Sequence, residues 1–123
     1  MKKIFFAIII ITVSTLQSCS IFGKLTSTTT IEPQKSFVLG EGKHGAYNAQ
    51  IKNVGKSEIE VFAIAENGLR TSLGILKISE KRAYPVSSNT EVQFKNLGAL
   101  EGVIEILLTG DTRLSMGYKA NKQ

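Results

Sequence analysis

Hydrophobic and polar residues alternate along most of the chain after residue 36, and turn residues interrupt the alternation every eight to twelve positions. The segment NTEVQFKN shows the pattern most clearly. Val92 and Phe94 fall on one side of it, and Glu91, Gln93 and Lys95 fall on the other. A period of two is typical of a β-strand with one buried side. Because no segment of helical period follows the first 19 residues, the pattern predicts an all-β domain.

The number and spacing of the alternating segments predict seven to eight short strands. Such spacing is typical of an antiparallel β-sandwich, and a small barrel is the alternative. The likeness to immunoglobulin domains is one of architecture alone, because the chain has no tryptophan and a single cysteine. The side chains predicted to fill the core are those of Tyr47, Ile51, Ile59, Val61, Val92, Phe94, Ile104, Ile106 and Leu108.

Two local signals refine this prediction. Asn67 and Gly68 lie between two alternating segments, and both residue types accept a positive φ, so they predict the tip of a hairpin that joins strands near 59–65 and 69–78. Pro85 lies inside another alternating segment and cannot donate a hydrogen bond to a neighbour. It therefore predicts that this strand lies at the edge of a sheet.

The alternation is absent before residue 36. Residues 19–35 are rich in serine and threonine, which predicts a tether between the N-terminus and a domain over 36–119. The alternative is that the threonines of this segment form a first edge strand, because β-branched residues favour strands. Residues 120–123 are predicted to be a frayed tail.

The first residues carry a different pattern. Lys2 and Lys3 precede an apolar run over 4–11, which is typical of a secretory signal peptide that forms a short helix and is removed after export. The run is shorter than the roughly 20 apolar residues that a membrane-spanning helix needs. We therefore predict a signal peptide over 1–18, and an uncleaved N-terminal anchor is the alternative.

The only cysteine lies directly after this segment, in the sequence Leu16-Gln17-Ser18-Cys19. This motif resembles the lipobox of bacterial lipoproteins. The resemblance implies that the Cys19 thiol receives a diacylglycerol and that cleavage makes Cys19 the N-terminus of a protein attached to a membrane of the cell envelope. Ser20 follows where an aspartate tends to retain lipoproteins at the inner membrane, so the resemblance favours the outer membrane. In a plain secreted protein a lone cysteine could form no internal disulfide.

Charge and composition argue against nucleic acid as a partner. The formal net charge is +5, and loss of Lys2 and Lys3 with the signal peptide lowers it to +3 over about 105 residues. The basic residues are spread singly along the chain, whereas a nucleic-acid-binding surface clusters them with stacking aromatic residues.

The segment GEGKHG, residues 40–45, matches the G-x-G-x-x-G pattern of dinucleotide-binding folds. That pattern binds phosphate only where a helix begins directly after it, and here a strand pattern follows. We therefore predict a loop between two strands and no nucleotide site. Glu41, Lys43 and His44 are the candidate residues of a binding loop, although an exposed histidine with no role in binding is the simpler interpretation of His44.

Other arrangements that could support catalysis or metal binding are weak. Glu58 and Glu60 lie two residues apart on one side of a predicted strand, whereas glycosidase carboxylates normally come from different elements across a cleft. Residues 109–112, TGDT, offer fewer oxygen ligands than calcium needs. No G-x-S-x-G motif is present. The sequence therefore predicts no catalytic residues, no metal site and no cofactor.

Three hypotheses for function follow. The first is a cell-envelope lipoprotein that acts as a non-catalytic binding or structural module. The second is an accessory subunit that docks on another envelope protein by sheet-edge pairing. A small hydrolase is a remote third.

Overall fold

The structure is a computed structural model that describes residues 23–120. The predicted signal peptide and Cys19 lie outside the described residues, as do residues 121–123. Within the described part, the chain forms nine β-strands and no helix. The strands are β1 (Lys24–Ile31), β2 (Lys35–Leu39), β3 (Tyr47–Asn53), β4 (Ile59–Ile64), β5 (Arg70–Leu76), β6 (Lys81–Val86), β7 (Glu91–Asn96), β8 (Gly102–Gly110) and β9 (Met116–Ala120).

The strands form two antiparallel sheets. The four-stranded sheet has the order β1-β8-β3-β6, and the five-stranded sheet has the order β5-β4-β7-β2-β9. The sheets are separate and are not closed into one, and apolar side chains fill the space between them. The predicted all-β sandwich is confirmed, although the described part has more strands than the seven to eight predicted.

The additional strand is β1, which occupies residues predicted to be a tether. All eight of its residues pair with β8, from Lys24 opposite Thr109 to Ile31 opposite Gly102. Ile31 is fully buried and Thr29 is 6% exposed, so one side of β1 belongs to the core. The tether prediction is wrong for these residues, and the alternative of a threonine-rich edge strand is confirmed. At the other end, Ala120 belongs to β9 and not to a tail.

The predicted core is confirmed. All nine residues named from the alternation are buried, and none exposes more than 5% of its surface. The rings of Phe37 and Phe94 lie 6.2 Å apart in this core. The other buried members of the cluster are Ile31, Phe37, Leu39, Ala49, Leu76, Tyr84 and Val86.

The predicted hairpin at Asn67 and Gly68 is also confirmed, with a different turn. Gly68 N–H donates to the Ala65 carbonyl (2.8 Å) and Ala65 N–H donates to the Leu69 carbonyl (2.9 Å). Within this loop only Gly68 has a positive φ, +90°, whereas a two-residue turn would require a positive φ at Asn67 too. The connection is a three-residue loop with glycine at the bulge position. Pro85 lies, as predicted, on an edge strand, β6.

The antiparallel connections place the loops at two ends of the sandwich. The His44 end comprises loops 40–46, 65–69, 87–90 and 111–115, and β1 also begins there. The Asn53 end comprises loops 32–34, 54–58, 77–80 and 97–101.

Two buried asparagines hold the Asn53 end together. The Asn53 amide donates to the Ser57 and Leu76 carbonyls (2.8 and 3.1 Å), and its oxygen accepts from Gly55 N–H (3.0 Å). Asn53 lies in the four-stranded sheet and Leu76 in the five-stranded sheet, so this side chain links the two sheets.

Asn96 makes the reciprocal link from the five-stranded sheet. Its amide donates to the Ile31 and Leu100 carbonyls (2.8 and 2.9 Å), and its oxygen accepts from Gly98 N–H (2.8 Å). Asn53 and Asn96 are 0% and 3% exposed, so their hydrogen bonds are shielded from water. Each asparagine therefore satisfies buried backbone groups that have few alternatives.

Candidate functional site

The predicted binding loop does connect two strands, β2 and β3. Gly40 and Gly42 have φ values of +78° and +91°, in the left-handed region that glycine adopts readily. The strand β3 begins two residues after the last glycine of GEGKHG. No helix start is available there to bind a phosphate, and the prediction of a loop is confirmed.

The three candidate residues of this loop point to different neighbours. Glu41 N–H donates to Ser115 Oγ (2.9 Å), and the Glu41 carboxylate lies 3.8 Å from Lys119 Nζ. Lys43 lines a cavity of about 330 Å³ beside the β4–β5 hairpin. His44 turns towards Thr90, in the loop before β7. The structure therefore does not bring these three side chains together into one site.

His44 is partly buried and held by backbone groups. Its Nδ1 lies 2.8 Å from the Gly45 carbonyl and its Nε2 lies 3.0 Å from the Thr90 carbonyl. The backbone N–H of His44 donates to Asn89 Oδ1 (2.9 Å), and its ring packs edge-on against Tyr47 with centroids 5.3 Å apart. Both ring nitrogens face carbonyl oxygens, so the ring offers no open nitrogen to a ligand.

Neighbouring groups at the His44 end are also used to hold loops. Asp111 accepts hydrogen bonds from Gly45 N–H (2.7 Å) and Arg113 N–H (3.0 Å), and these backbone donors hold the pKa of Asp111 below its usual value. Burial raises the pKa of the Tyr47 hydroxyl, and the charge of Glu91 adds to this effect. Both carboxylate oxygens of Asp111, the acidic residue of the TGDT segment, thus accept hydrogen bonds from backbone amides.

The outward side of the five-stranded sheet carries a connected set of polar contacts, and we call it the networked face. Arg70 Nη1 donates to Gln93 Oε1 (3.1 Å), and Gln93 Nε2 donates to Glu91 Oε2 (2.7 Å). Lys119 Nζ lies 3.9 Å from the same Glu91 oxygen. The Arg70 guanidinium also lies 3.9 Å from the centre of the Phe62 ring, in cation–π contact. Arg70, Glu91 and Lys119 are therefore joined by contacts on this face, whereas Lys95 on the same face makes no ion pair within residues 23–120.

The outward side of the four-stranded sheet is different, and we call it the open face. Two rows of side chains cross its four strands. One row is Thr28, Glu105, Lys52 and Lys81, and the adjacent row is Thr26, Leu107, Gln50 and Ala83. Over residues 23–120, none of the polar side chains in these rows makes a hydrogen bond or an ion pair. Lys52 and Lys81 lie directly opposite each other, an arrangement of like charges that is unfavourable on a sheet surface.

A shallow concavity of about 550 Å³ lies on the open face. It is bordered by exposed or half-exposed polar groups from all four strands: Thr26, Thr28, Gln50, Lys52, Lys81 and Glu105. Hydroxyl, amide, ammonium and carboxylate groups without internal partners are available there to a polar ligand. The open face is the strongest candidate for a functional surface among the described residues.

No protein-family model matches this chain, and no curated protein does either. The candidate site therefore stands on its geometry alone.

Other groups considered from the sequence do not form a site. Glu58 precedes β4 and is exposed, while Glu60 accepts a hydrogen bond from Ser72 Oγ (3.1 Å) on the networked face. No group of three or more potential metal ligands occurs within the described range. Nor do residues 23–120 contain a helix long and apolar enough to cross a membrane.

The sequence did not identify the residues of the open face. Thr26 and Thr28 lie in the segment predicted to be a tether, and Gln50 and Lys52 belong to the polar side of an alternating segment that carries no motif. Their proximity depends on the strand order, which periodicity does not give. The one available signal was that their strands carry polar residues at every second position.

Proposed function

We propose that this protein is a cell-envelope lipoprotein, attached through a lipid on Cys19 and delivered to the outer membrane. Its folded domain acts as a non-catalytic binding module. The observation that carries the lipid anchor is the motif Leu16-Gln17-Ser18-Cys19 at the end of an apolar run that follows two lysines. Two or three acyl chains on one residue provide stable attachment, which a single chain does not.

The position of β1 supports a close attachment. Gly23 lies so near Thr112 that a Cβ at residue 23 would be 2.6 Å from the Thr112 hydroxyl oxygen. The chain therefore enters the domain at the His44 end, and four residues, 20–23, separate Cys19 from the start of β1 at Lys24. Such a segment spans at most about 17 Å when extended. Under this proposal the His44 end faces the membrane, and the open face lies roughly perpendicular to the membrane surface.

Replacement of the anchor residue tests this proposal. Cys19→Ser is expected to move the protein from the membrane fraction of producing cells, or to leave it unprocessed, because the lipid on Cys19 is the proposed anchor and residues 23–120 contain no helix that could cross a membrane. Fractionation followed by mass spectrometry measures both effects. Ser20→Ala is the matched control and is expected to stay with the membrane. A wild-type protein that retains Met1 and an unmodified Cys19 would refute the anchor.

The binding role is carried by the open face. Its threonine and glutamine side chains can exchange hydrogen bonds with hydroxyl groups, and Lys52 and Lys81 make no ion pair in the described domain, although Glu105 lies opposite Lys52. An anionic, hydroxyl-rich ligand would supply the missing negative charge between the two lysines. We propose that the ligand is an anionic glycan of the envelope, such as the phosphorylated sugar part of lipopolysaccharide.

Removal of both Lys52 and Lys81 tests the proposal that the open face binds an anionic glycan. Lys52→Ala with Lys81→Ala is expected to weaken binding of the membrane-extracted protein to immobilised lipopolysaccharide roughly tenfold, with a smaller salt dependence. The matched control, Lys56→Ala with Lys95→Ala, removes the same charge away from the open face. Equal losses in the two double variants would show that only the net charge matters and that the open face is not the site.

One observation favours the second candidate function, an accessory subunit that docks by sheet-edge pairing. Three edge strands carry features that discourage pairing: β5 has an irregular register at Gly74, β6 contains Pro85, and β9 has only five residues, the second of which is a glycine. The fourth edge, β1, has eight residues and neither proline, glycine nor a break in its register. Its unpaired backbone groups are available to another strand.

A further inference from the structure

The exposed edge of β1 is complementary to itself. We propose that β1 pairs with β1 of a second copy of the chain, antiparallel and centred on Thr28. The two four-stranded sheets would then form one continuous eight-stranded sheet. This inference extends the edge-pairing function above and does not depend on the lipid at Cys19.

The register follows from the alternation of β1. Residues opposite each other in an antiparallel pair lie on the same side of the sheet, so the core-facing residues of one copy must meet those of the other. With Thr28 opposite Thr28, Thr26 meets Thr30 on the outward side and Leu25 meets Ile31 on the core side. Cross-strand threonine pairs and apolar pairs both stabilise a sheet. The pairing would also cover Leu25, which is 37% exposed at the unpaired edge of β1.

Complementary charges on β1 and directly after it favour this register, and they favour a second copy of the chain as the partner. With Thr28 at the centre, Lys24 of each copy lies opposite Glu32 of the other. Lys24 makes no ion pair within residues 23–120. Glu32 is largely exposed and lies 3.3 Å from Lys35, which leaves room for a second cation. A shift of two residues in either direction removes both Lys24–Glu32 pairs, so the centred register alone gives two ion pairs related by symmetry.

In the proposed dimer, the open faces of the two copies would join into one larger surface. The concavity of each copy includes Thr26 and Thr28 of β1, so the two concavities would adjoin across the new pair of strands. A twofold-symmetric polar surface of this kind suits a repeating or extended ligand better than a single sheet does. Each copy would bring its own Lys52 and Lys81 to that surface.

Disulfide crosslinking in the full-length chain tests the pairing. Thr28→Cys, with native Cys19 retained, is expected to give a covalent dimer in the envelope of producing cells after mild oxidation. Opposite residues of an antiparallel pair have Cα atoms about 4.5–5.5 Å apart, within the range for a disulfide. Thr30→Cys is the matched control. Its two copies would lie about 13 Å apart, too far for a bond, so it is expected to crosslink several-fold less.

A charge exchange provides the second measurement. Lys24→Glu in the Thr28→Cys chain is expected to reduce the crosslinked fraction several-fold, and addition of Glu32→Lys is expected to restore it. No Thr28→Cys dimer, equal dimer from Thr30→Cys, or a crosslink to a protein of another mass would each overturn the second-copy proposal. A disulfide dimer of the wild-type chain would instead show that Cys19 carries no lipid, so the two proposals fail separately.

Discussion

A chain that begins at Ser36 is expected not to fold, whereas a chain that begins at Ser20 is expected to fold into the complete sandwich. The first chain lacks β1, which pairs along its whole length with β8. Its loss uncovers one side of the core at Ile31 and removes the Ile31 carbonyl that the buried Asn96 amide binds. Loss of one buried isoleucine costs about 2–5 kcal/mol, a large part of a total stability of about 5–15 kcal/mol.

Circular dichroism and thermal unfolding of the two chains check this expectation. The Ser20 chain should show a β-type spectrum and one cooperative transition. The Ser36 chain should aggregate or unfold without a transition, because β8 becomes an unprotected edge rich in isoleucine and leucine. Cooperative melting of the Ser36 chain within a few degrees of the longer one would mean that residues 24–35 are a tether after all.

Asn53→Asp is expected to be among the most destabilising single changes in the domain. The substitution keeps the shape of the side chain but replaces the amide donor with an oxygen. That oxygen would face the Ser57 and Leu76 carbonyls, which would both lose their donor. Each buried group left without a partner costs about 1–3 kcal/mol, and a buried carboxylate adds to the cost. We expect a loss of roughly 3–5 kcal/mol.

The hairpin supplies a matched control for this change. Asn67 is exposed and uses only its side-chain oxygen, which accepts from Leu69 N–H (3.0 Å). Asn67→Asp retains that acceptor, so its melting temperature is expected to stay within about 2 °C of the wild type, as for most surface changes. If the two aspartate variants melted at similar temperatures, the link from Asn53 between the sheets would not matter for stability.

Alternation of apolar residues was sufficient to predict nine of the sixteen buried members of the core. At Val92 and Phe94 the apolar and polar sides separate cleanly, and burial of the apolar side decides which way the strand faces. The same pattern fails at β1, where four threonines and a serine occupy both sides. A threonine-rich edge strand and a threonine-rich tether have the same composition. Only the available edge of β8 distinguishes them.

Contacts between distant parts of the chain were beyond prediction from the sequence. Lys52, Lys81 and Glu105 approach one another because β3 lies between β6 and β8, and periodicity gives no strand order. The His44 ring meets a carbonyl 46 residues away, at Thr90. Asn53 and Asn96 each precede an x-Gly pair and look like ordinary turn residues. Their burial becomes evident only when the opposite sheet is in place.

The direction of β1 has a mechanical consequence for a domain anchored through Cys19. Tension from the membrane would enter at Lys24 and act along the axis of β1. The eight paired positions between β1 and β8 would then carry the load in shear, all at the same time. Pulling β1 sideways would break the same hydrogen bonds one after another, at lower force. A ligand or partner pulled away from the membrane would therefore apply force to this domain in the direction in which the β1–β8 hydrogen bonds resist rupture most strongly.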